Sequence, residues 1–413
     1  MRSRRVIALA AACAVVALVG VATPAQADAV RDGEYWLDEY GIRSAWNTTQ
    51  GAGVTIAVID TGIDGTVAEL RGAVVGGADF SGLGAANGQT PVGSTGSDHG
   101  TMVASLAAGR GTGTDSGVIG SAPAASLLSA SIGFGEGARS SDTQIAEAVR
   151  WAVDNGADII NMSLTRNTID WPESWDDAFL YAAENDVLVV AAAGNRGSGT
   201  TQVGAPATMP GVLTVAGVDA AGEASFDASS QGITIAVAAP SENLVGVVPG
   251  GGHVRWNGTS GAAPIVSGIA ALVMAAHPEL DVANVINRIV ATARDAGAPG
   301  PDPIYGFGLV DAAAAVGASV PTVTANPMGE LSEWITLYRR ADSTPAPLPS
   351  GTPWSQPEPI TPVRSSPLGS LLPTVNQLRV AGVPLLVFGT FAAIIAAVGV
   401  VAFRRFGTPR KRG

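Results

Sequence analysis

The amino-acid sequence predicts an α/β domain, with a mainly parallel sheet between two layers of helices, followed by a single membrane-spanning helix. Two observations predict this three-layer α/β/α class. From about residue 35 to residue 318, short apolar runs alternate with segments of helical periodicity, as is typical of a parallel sheet covered on both faces. Near the C-terminus, residues 383–403 form an uncharged apolar run with the length of a membrane span.

The chain begins with the features of a signal peptide. Three arginines within the first five residues precede an uncharged run that ends at Ala27 in the small-residue sequence AQA. This pattern is typical of secretory leaders, so we assign residues 1–27 to one. The only cysteine, Cys13, lies inside this leader. We therefore expect a mature chain without disulfides or cysteine nucleophiles.

The next segment, residues 28–318, is expected to form one large globular domain. Buried strands are predicted at 54–59, 157–161, 187–193, 212–218 and 233–238, and helices at 142–155, 174–185 and 281–293. Sheets of this kind bind ligands beyond the carboxyl ends of their strands. Polar residues at those ends are therefore the candidates for a functional site.

The C-terminal part divides into three segments. Residues 319–380 contain eleven prolines among Ser, Thr and Gly, which predicts an extended linker with one short helix near 330–340. A membrane span is assigned to 381–403, because 21 uncharged residues at about 1.5 Å each cross a hydrocarbon core of about 30 Å. Five basic residues lie in the tail, 404–413, which predicts a cytoplasmic tail and an extracellular domain.

Charge divides along the same boundaries. Between the leader and the basic tail lie all 35 acidic residues but only 15 of the 23 basic ones, which gives this region a net charge of −20. So acidic a region argues against nucleic acid and anionic membrane surfaces as partners.

The most informative segment is residues 257–264, NGTSGAAP, which leads into an apolar helix. Ser260 is expected at the N-terminus of this buried helix. There the helix dipole would favour attack on a carbonyl, and the Ser260 N–H could stabilise the resulting oxyanion. Pro264 is expected in the first helical turn, where its missing N–H has no cost. Taken alone, Ser260 could equally be a helix cap.

Three other polar residues lie at strand ends or helix starts. Asp60 and Asn195 each follow an apolar strand, and His99 stands where a helix begins. Each has a structural alternative, since Asp and Asn are common in tight turns. The Asn195 amide could instead donate a hydrogen bond to an oxyanion. His253 and His277 are interpreted as structural, because His253 has no acidic neighbour nearby in sequence and His277 ends a helix.

Together these segments carry a resemblance. The chain contains four segments similar in content and order to the signature motifs of the subtilisin-like serine proteases: residues 57–62 (AVIDTG), 99–104 (HGTMVA), 192–195 (AAGN) and 258–264 (GTSGAAP). The resemblance covers about residues 35–316 and implies a subtilisin-like fold. It also implies that Ser260 attacks the scissile carbonyl, that His99 takes its proton and that Asp60 orients the imidazole. Asn195 and the Ser260 N–H would bind the oxyanion.

A fifth segment, residues 160–164 (INMSL), resembles the family strand that pairs with the substrate backbone. The resemblance therefore implies substrate contacts at Asn161, Ser163 and Leu164. Thr165 stands where many members of the family have glycine, so we expect an altered wall of the specificity pocket.

The order of the segments also resembles that of a narrower group within the family, the mycosins. These are membrane-anchored subtilases of actinobacterial type VII secretion systems. They too have a signal peptide, a protease domain, a proline-rich linker, one span and a short tail. Two features differ from theirs. The cysteine pairs of mycosins are missing, and residues 67–70 read VAEL where the family has His-Pro-Asp-Leu.

These inferences predict a single-pass protein of the cell membrane whose extracellular domain is a serine endopeptidase acting on protein or peptide substrates. The alternative is a subtilase-fold structural subunit of a type VII-like secretion or envelope complex, with secretion-system components as partners and dispensable catalysis. An α/β-hydrolase esterase is disfavoured, because Ala262 stands where its motif requires glycine. No cofactor or metal is expected; the resemblance allows a structural calcium ion, but no dense acidic loop offers ligands.

Overall fold

A computed structural model describes residues 29–93 and 96–339. Its centre is a seven-stranded sheet in the order β2-β3-β1-β4-β5-β6-β7, in which all neighbouring strands are parallel. The strands are β1 Thr55–Asp60, β2 Val74–Asp79, β3 Ser126–Ser131, β4 Ile159–Met162, β5 Leu188–Ala192, β6 Leu213–Val218 and β7 Ile235–Pro240. An antiparallel hairpin follows, formed by β8 Leu244–Val248 and β9 Gly252–Trp256.

The helices and short 3₁₀ turns complete the described fold. The α-helices are α1 Trp36–Glu39, α2 Ile42–Ala45, α3 His99–Ala108, α4 Ser141–Asp154, α5 Glu173–Glu184, α6 Thr259–Ala276, α7 Val282–Ala291, α8 Ala312–Gly317 and α9 Leu331–Tyr338. The 3₁₀ turns are Arg31–Gly33, Ala68–Leu70 and Arg196–Ser198. The predicted α/β class with a mainly parallel sheet is confirmed.

The sequence pattern does not predict two strands of the sheet, β2 and β3, or the hairpin formed by β8 and β9. The segment that becomes β3 reads SLLSAS, and its serines interrupt the apolar run. The two fully buried serines are tolerated inside the sheet because each has a partner: Ser129 Oγ donates to the carbonyl of Gly88, and Ser131 Oγ donates to the Asp79 carboxylate. Buried hydroxyls of this kind are compatible with a core only when they are bonded.

Helix α6 lies at the centre of the domain. It packs against β4, β5, β6 and β7, and against α3. Among the described residues, it is the one helix long and apolar enough to cross a membrane, but 78% of it is buried inside the domain, as in the core helix of a soluble domain. The expectation for Pro264 is wrong. The helix already begins at Thr259, so Pro264 lies inside it rather than in its first turn.

The first part of the predicted linker packs on the domain instead of extending from it. Trp334 of α9 lies against Trp171 with ring centroids 4.4 Å apart. Arg339 Nε donates to the Asp176 carboxylate at 3.0 Å. The predicted boundary at residue 318 is therefore too early, because the tryptophan and arginine contacts hold the chain to the domain as far as residue 339.

Four predicted segments lie wholly or largely outside the described residues. They are the signal peptide at 1–27, the remainder of the linker from 340 to 380, the span at 381–403 and the basic tail at 404–413.

The N-terminal segment of the domain is held by a buried hydrogen-bonded pair, Arg31 and Glu34. Arg31 Nε lies 2.9 Å from a Glu34 carboxylate oxygen, and the guanidinium also donates to the carbonyls of Ser116 and Gly117. The other Glu34 oxygen accepts from the Ile119 N–H. Burial raises the pKa of the Glu34 carboxyl to about 8, although the Ile119 N–H and the Arg31 charge oppose that shift. This clamp joins residues 31–34 to the loop after α3.

Replacing Arg31 by alanine should therefore lower the free energy of unfolding by about 2–4 kcal/mol, because the buried Glu34 carboxyl and two carbonyls lose their donor. Urea denaturation measures this. The control is Arg139→Ala, which removes an exposed ion pair with Glu147 and should leave the free energy of unfolding almost unchanged. If both variants lost the same free energy of unfolding, the stabilising role of Arg31 would be contradicted.

Candidate active site

The strand order brings the predicted site residues to one edge of the sheet. Strands β1, β4 and β5 are neighbours, and their carboxyl ends lead into Asp60, Ser163 and Asn195. Helix α6 presents Ser260 at the same edge, because its first turn packs beside the end of β4. The fold therefore assembles four segments that are far apart in sequence.

Asp60 and His99 form a direct pair. His99 Nδ1 lies 2.8 Å from one Asp60 carboxylate oxygen and 2.9 Å from the other. Since a carboxylate only accepts hydrogen bonds, Nδ1 carries the proton and the lone pair on Nε2 is left to accept one. Asp60 is buried, and its Oδ1 also accepts from the Thr61 N–H at 2.7 Å.

This pair depends on how closely α3 approaches the turn after β1. A Cβ atom on Gly100 would lie 2.4 Å from the Gly62 carbonyl oxygen, so only glycine fits there. The Thr61 hydroxyl accepts from the Gly100 N–H at 3.0 Å and donates to the Ser97 carbonyl. These contacts place His99, the first residue of α3, against Asp60.

Two opposing effects set the proton affinity of His99. Burial disfavours the charged imidazolium, but the charge of the Asp60 carboxylate and its hydrogen bond outweigh burial, and Asp98 adds to them. The pKa of His99 is therefore raised above its ordinary value of 6.5. Trp256 packs edge-to-face on the imidazole, with ring centroids 5.7 Å apart at 76°. Sequence reasoning did not identify this tryptophan, although it lies only four residues before Ser260.

Ser260 lies in the first turn of α6. Its Oγ donates to the Ser163 carbonyl at 3.2 Å. Because a hydroxyl has one proton, the Ser260 side chain must rotate before that proton can pass to Nε2 of His99. The Ser260 N–H belongs to the helix end, where amides have no partner within the helix and point toward an incoming anion.

The orientation of the Asn195 amide is fixed by Thr259. Asn195 Oδ1 accepts from both the N–H and the hydroxyl of Thr259, at 2.8 and 2.9 Å. The Thr259 hydroxyl accepts in turn from the Gly194 N–H at 3.1 Å. With its oxygen occupied, Asn195 presents its NH₂ group as a donor, which is the group an oxyanion needs. The role of Thr259 was not foreseen from the sequence.

The three residues predicted to contact substrate differ in their surroundings. The Asn161 side chain is fully buried and bonds to Ser163 and Ser267, so it has no face for a substrate. The Ser163 side chain is also buried and donates to the Ser260 carbonyl at 2.8 Å. Leu164 lines an open cavity of about 390 Å³ together with Phe134, Ile145, Thr165 and Trp175.

Thr165 lines this cavity and also lies close to Gly194. Its methyl group would lie 3.2 Å from a Cβ placed on Gly194. Farther along the wall, Arg166 is ion-paired with Asp142 and lies over the Trp175 ring.

The two remaining histidines lie outside this cluster. His277 Nε2 bonds to the Val316 carbonyl. His253 has no acidic neighbour nearby in sequence, but in the fold it lies 2.7 Å from the buried Glu69 carboxylate. The two residues are 184 positions apart, so this contact cannot be found from local sequence. Within the described ranges, 29–93 and 96–339, there is no group of three His, Cys, Asp or Glu side chains that could hold a metal ion.

Comparisons with known proteins agree with this geometry. Residues 51–308 match the model of the subtilase family. Subtilisin DY from Bacillus licheniformis is 36% identical over 273 residues, which cover 64% of this chain and 92% of the relative. Subtilisin from Bacillus pumilus is 37% identical over 270 residues, which cover 64% and 91%.

Solved structures that are similar to this chain include those of mycosins. The structure of MycP1 with its N-terminal propeptide removed is 34% identical, with a TM-score of 0.61, and the match covers 70% of this chain and 98% of that one. MycP3 protease from the type VII (ESX-3) secretion system is 32% identical, with a TM-score of 0.59, over 69% and 88% of the two chains. From its sequence, its fold and these similarities, the chain belongs to the subtilase family of serine proteases.

Proposed function

We propose that this subtilisin-like serine protease is an extracellular, membrane-anchored endopeptidase that hydrolyses peptide bonds through Asp60, His99 and Ser260. The observation that carries the proposal is the contact of His99 Nδ1 with both Asp60 oxygens, at 2.8 and 2.9 Å. This contact fixes the tautomer that leaves Nε2 as a base on the side of the serine.

The acylation step follows from these positions. The Ser260 hydroxyl rotates away from the Ser163 carbonyl, its proton passes to His99 Nε2, and its oxygen bonds to the scissile carbonyl carbon. The carbonyl π electrons move to the oxygen, which the Asn195 NH₂ group and the Ser260 N–H stabilise. When the tetrahedral intermediate collapses, the C–N bond breaks and the imidazolium gives its proton to the leaving amine.

Deacylation repeats the sequence with water. Water gives a proton to Nε2 as its oxygen attacks the Ser260 ester, and the proton then returns to Ser260 Oγ as the acid product leaves. Asp60 stabilises the imidazolium in both halves. Because Asp60 is buried, little water screens the attraction between its carboxylate and the developing cation.

The substrate is expected to be a protein or peptide segment that lies along residues 163–165 with one side chain in the cavity beside Leu164. The acidic net charge of the region between leader and tail argues against nucleic acid as a partner.

Replacement of Ser260 by alanine should lower kcat for peptide hydrolysis by about 10⁶-fold, as in subtilisin, because the nucleophile is removed. It should also abolish labelling by a fluorophosphonate. The matched control is Ser332→Ala, which alters an exposed serine of α9 and should behave as the parent protein does. Labelling or turnover that persists in Ser260→Ala would refute the nucleophile assignment.

A structural role in a secretion complex is the second candidate. It is supported by the similarity to MycP3, described as a protease from a type VII (ESX-3) secretion system. The same Ser260→Ala protein separates the two roles. If it fully restores secretion in a deletion strain, catalysis is dispensable and secretion-system components are the relevant partners; if it does not, proteolysis is the function.

Anchoring to the membrane is the remaining part of the proposal, and it depends on the apolar run at 381–403 and the basic tail after it. A chain that ends at residue 380 should be released into the medium with its peptidase activity intact. The full chain should sediment with membranes and be digested by protease added outside intact cells. Release of the full chain, or retention of the shortened one, would contradict the anchor.

A further inference from the structure

The carbonyl group of Ser260 lacks the regular i+4 donor of an α-helix. In an α-helix, the carbonyl of residue 260 would accept from the N–H of residue 264. That residue is Pro264, which lies inside α6 and has no N–H. A proline ring also crowds the carbonyl four residues earlier and displaces it from the helix axis. The residue that bears the proposed nucleophile is thus the one whose carbonyl Pro264 deprives of its i+4 donor.

A side chain from β4 replaces the missing donor. The Ser163 hydroxyl donates to the Ser260 carbonyl at 2.8 Å. The main-chain carbonyl of Ser163 accepts in turn from Ser260 Oγ at 3.2 Å. One residue therefore holds Ser260 at its carbonyl and at its side chain.

The direction of the Ser163 hydroxyl is set by a buried chain of hydrogen bonds. Asn161 Nδ2 donates to Ser163 Oγ at 3.0 Å, and Asn161 Oδ1 accepts from Ser267 Oγ at 2.9 Å. Asn161 and Ser267 are fully buried and Ser163 is 4% exposed. Because Asn161 occupies an acceptor position of Ser163, the single hydroxyl proton is left to point at the Ser260 carbonyl.

We propose that Ser163, oriented by Asn161, is a positioning residue for the nucleophile, and that its hydroxyl stands in for the backbone donor that Pro264 lacks. The proposal rests on the function proposed above. The carbonyl, Cα and Oγ of Ser260 move together, so a tilt of this carbonyl displaces Oγ relative to the scissile bond. Displacements of about 1 Å from reactive geometry can cost about 10²-fold in rate.

The test is a double-mutant cycle between Ser163→Ala and Pro264→Ala. Ser163→Ala alone should lower kcat and the rate of fluorophosphonate labelling by about tenfold to 100-fold. KM should change by less than about twofold, because the Ser163 hydroxyl faces Ser260 and not the substrate. Pro264→Ala restores a backbone N–H at the position from which Ser260 normally accepts. In that background, Ser163→Ala should cost less than about threefold.

Controls separate positioning from a general loss of stability. Thr214→Val removes another fully buried hydroxyl, which donates to the Ala207 carbonyl near the opposite end of the sheet. It should lower the melting temperature without changing kcat. If Ser163→Ala does not fold, Ser163→Cys keeps the size but offers a weak donor, and its loss of kcat should also shrink in the Pro264→Ala background.

The proposal is overturned if Ser163→Ala leaves kcat unchanged, or if its loss is the same with and without Pro264. A parent protein that is not labelled at Ser260 would instead refute the proposed function, so the two failures are distinguishable.

Discussion

The active-site geometry depends on the close approach of α3 to the turn after β1. Gly100 and the Gly62 carbonyl are so near that a single Cβ atom would come within 2.4 Å of the oxygen. This approach brings His99 within hydrogen-bond distance of both oxygens of a buried carboxylate, Asp60. The orientation of the imidazole and the raised pKa of His99 both follow from that contact. A side chain at position 100 would push α3 away from the turn after β1 and would therefore separate His99 from Asp60.

The remaining parts of the site are held by polar groups that satisfy one another beneath the surface. Thr259 fixes the Asn195 amide, and the Asn161–Ser163 pair fixes the Ser260 carbonyl. The Thr259–Asn195 and Ser163–Ser260 bonds join α6 to the ends of β5 and β4. Buried polar groups are costly unless bonded, so the network favours one relative placement of helix and sheet. The same bonds that satisfy the buried groups therefore position the nucleophile and the oxyanion donor.

Local sequence predicts the residues of the proposed active site better than the residues that support them. Asp60, His99, Asn195 and Ser260 lie at strand ends or helix starts, where short motifs reveal them. Ser163 and Ser260 are 97 positions apart, and only the fold shows that a hydroxyl on one compensates for a proline near the other. Strand β3 escapes prediction for a related reason, because its serines look like a loop until their partners are known. Sequence periodicity alone does not predict these parts of the structure, because their buried polar groups are paired with residues far away in the sequence.

Asp60 controls the proton affinity of His99, and NMR titration of the His99 ring measures this control. With three histidines in the chain, the signal can be assigned by substitution of the other two. We expect a midpoint above 6.5 in the parent protein, with His99 losing its proton and becoming a competent base as the pH rises through that value. Asp60→Asn should lower the midpoint. A midpoint at or below 6.5, or one unchanged by Asp60→Asn, would show that Asp60 does not set the pKa of His99.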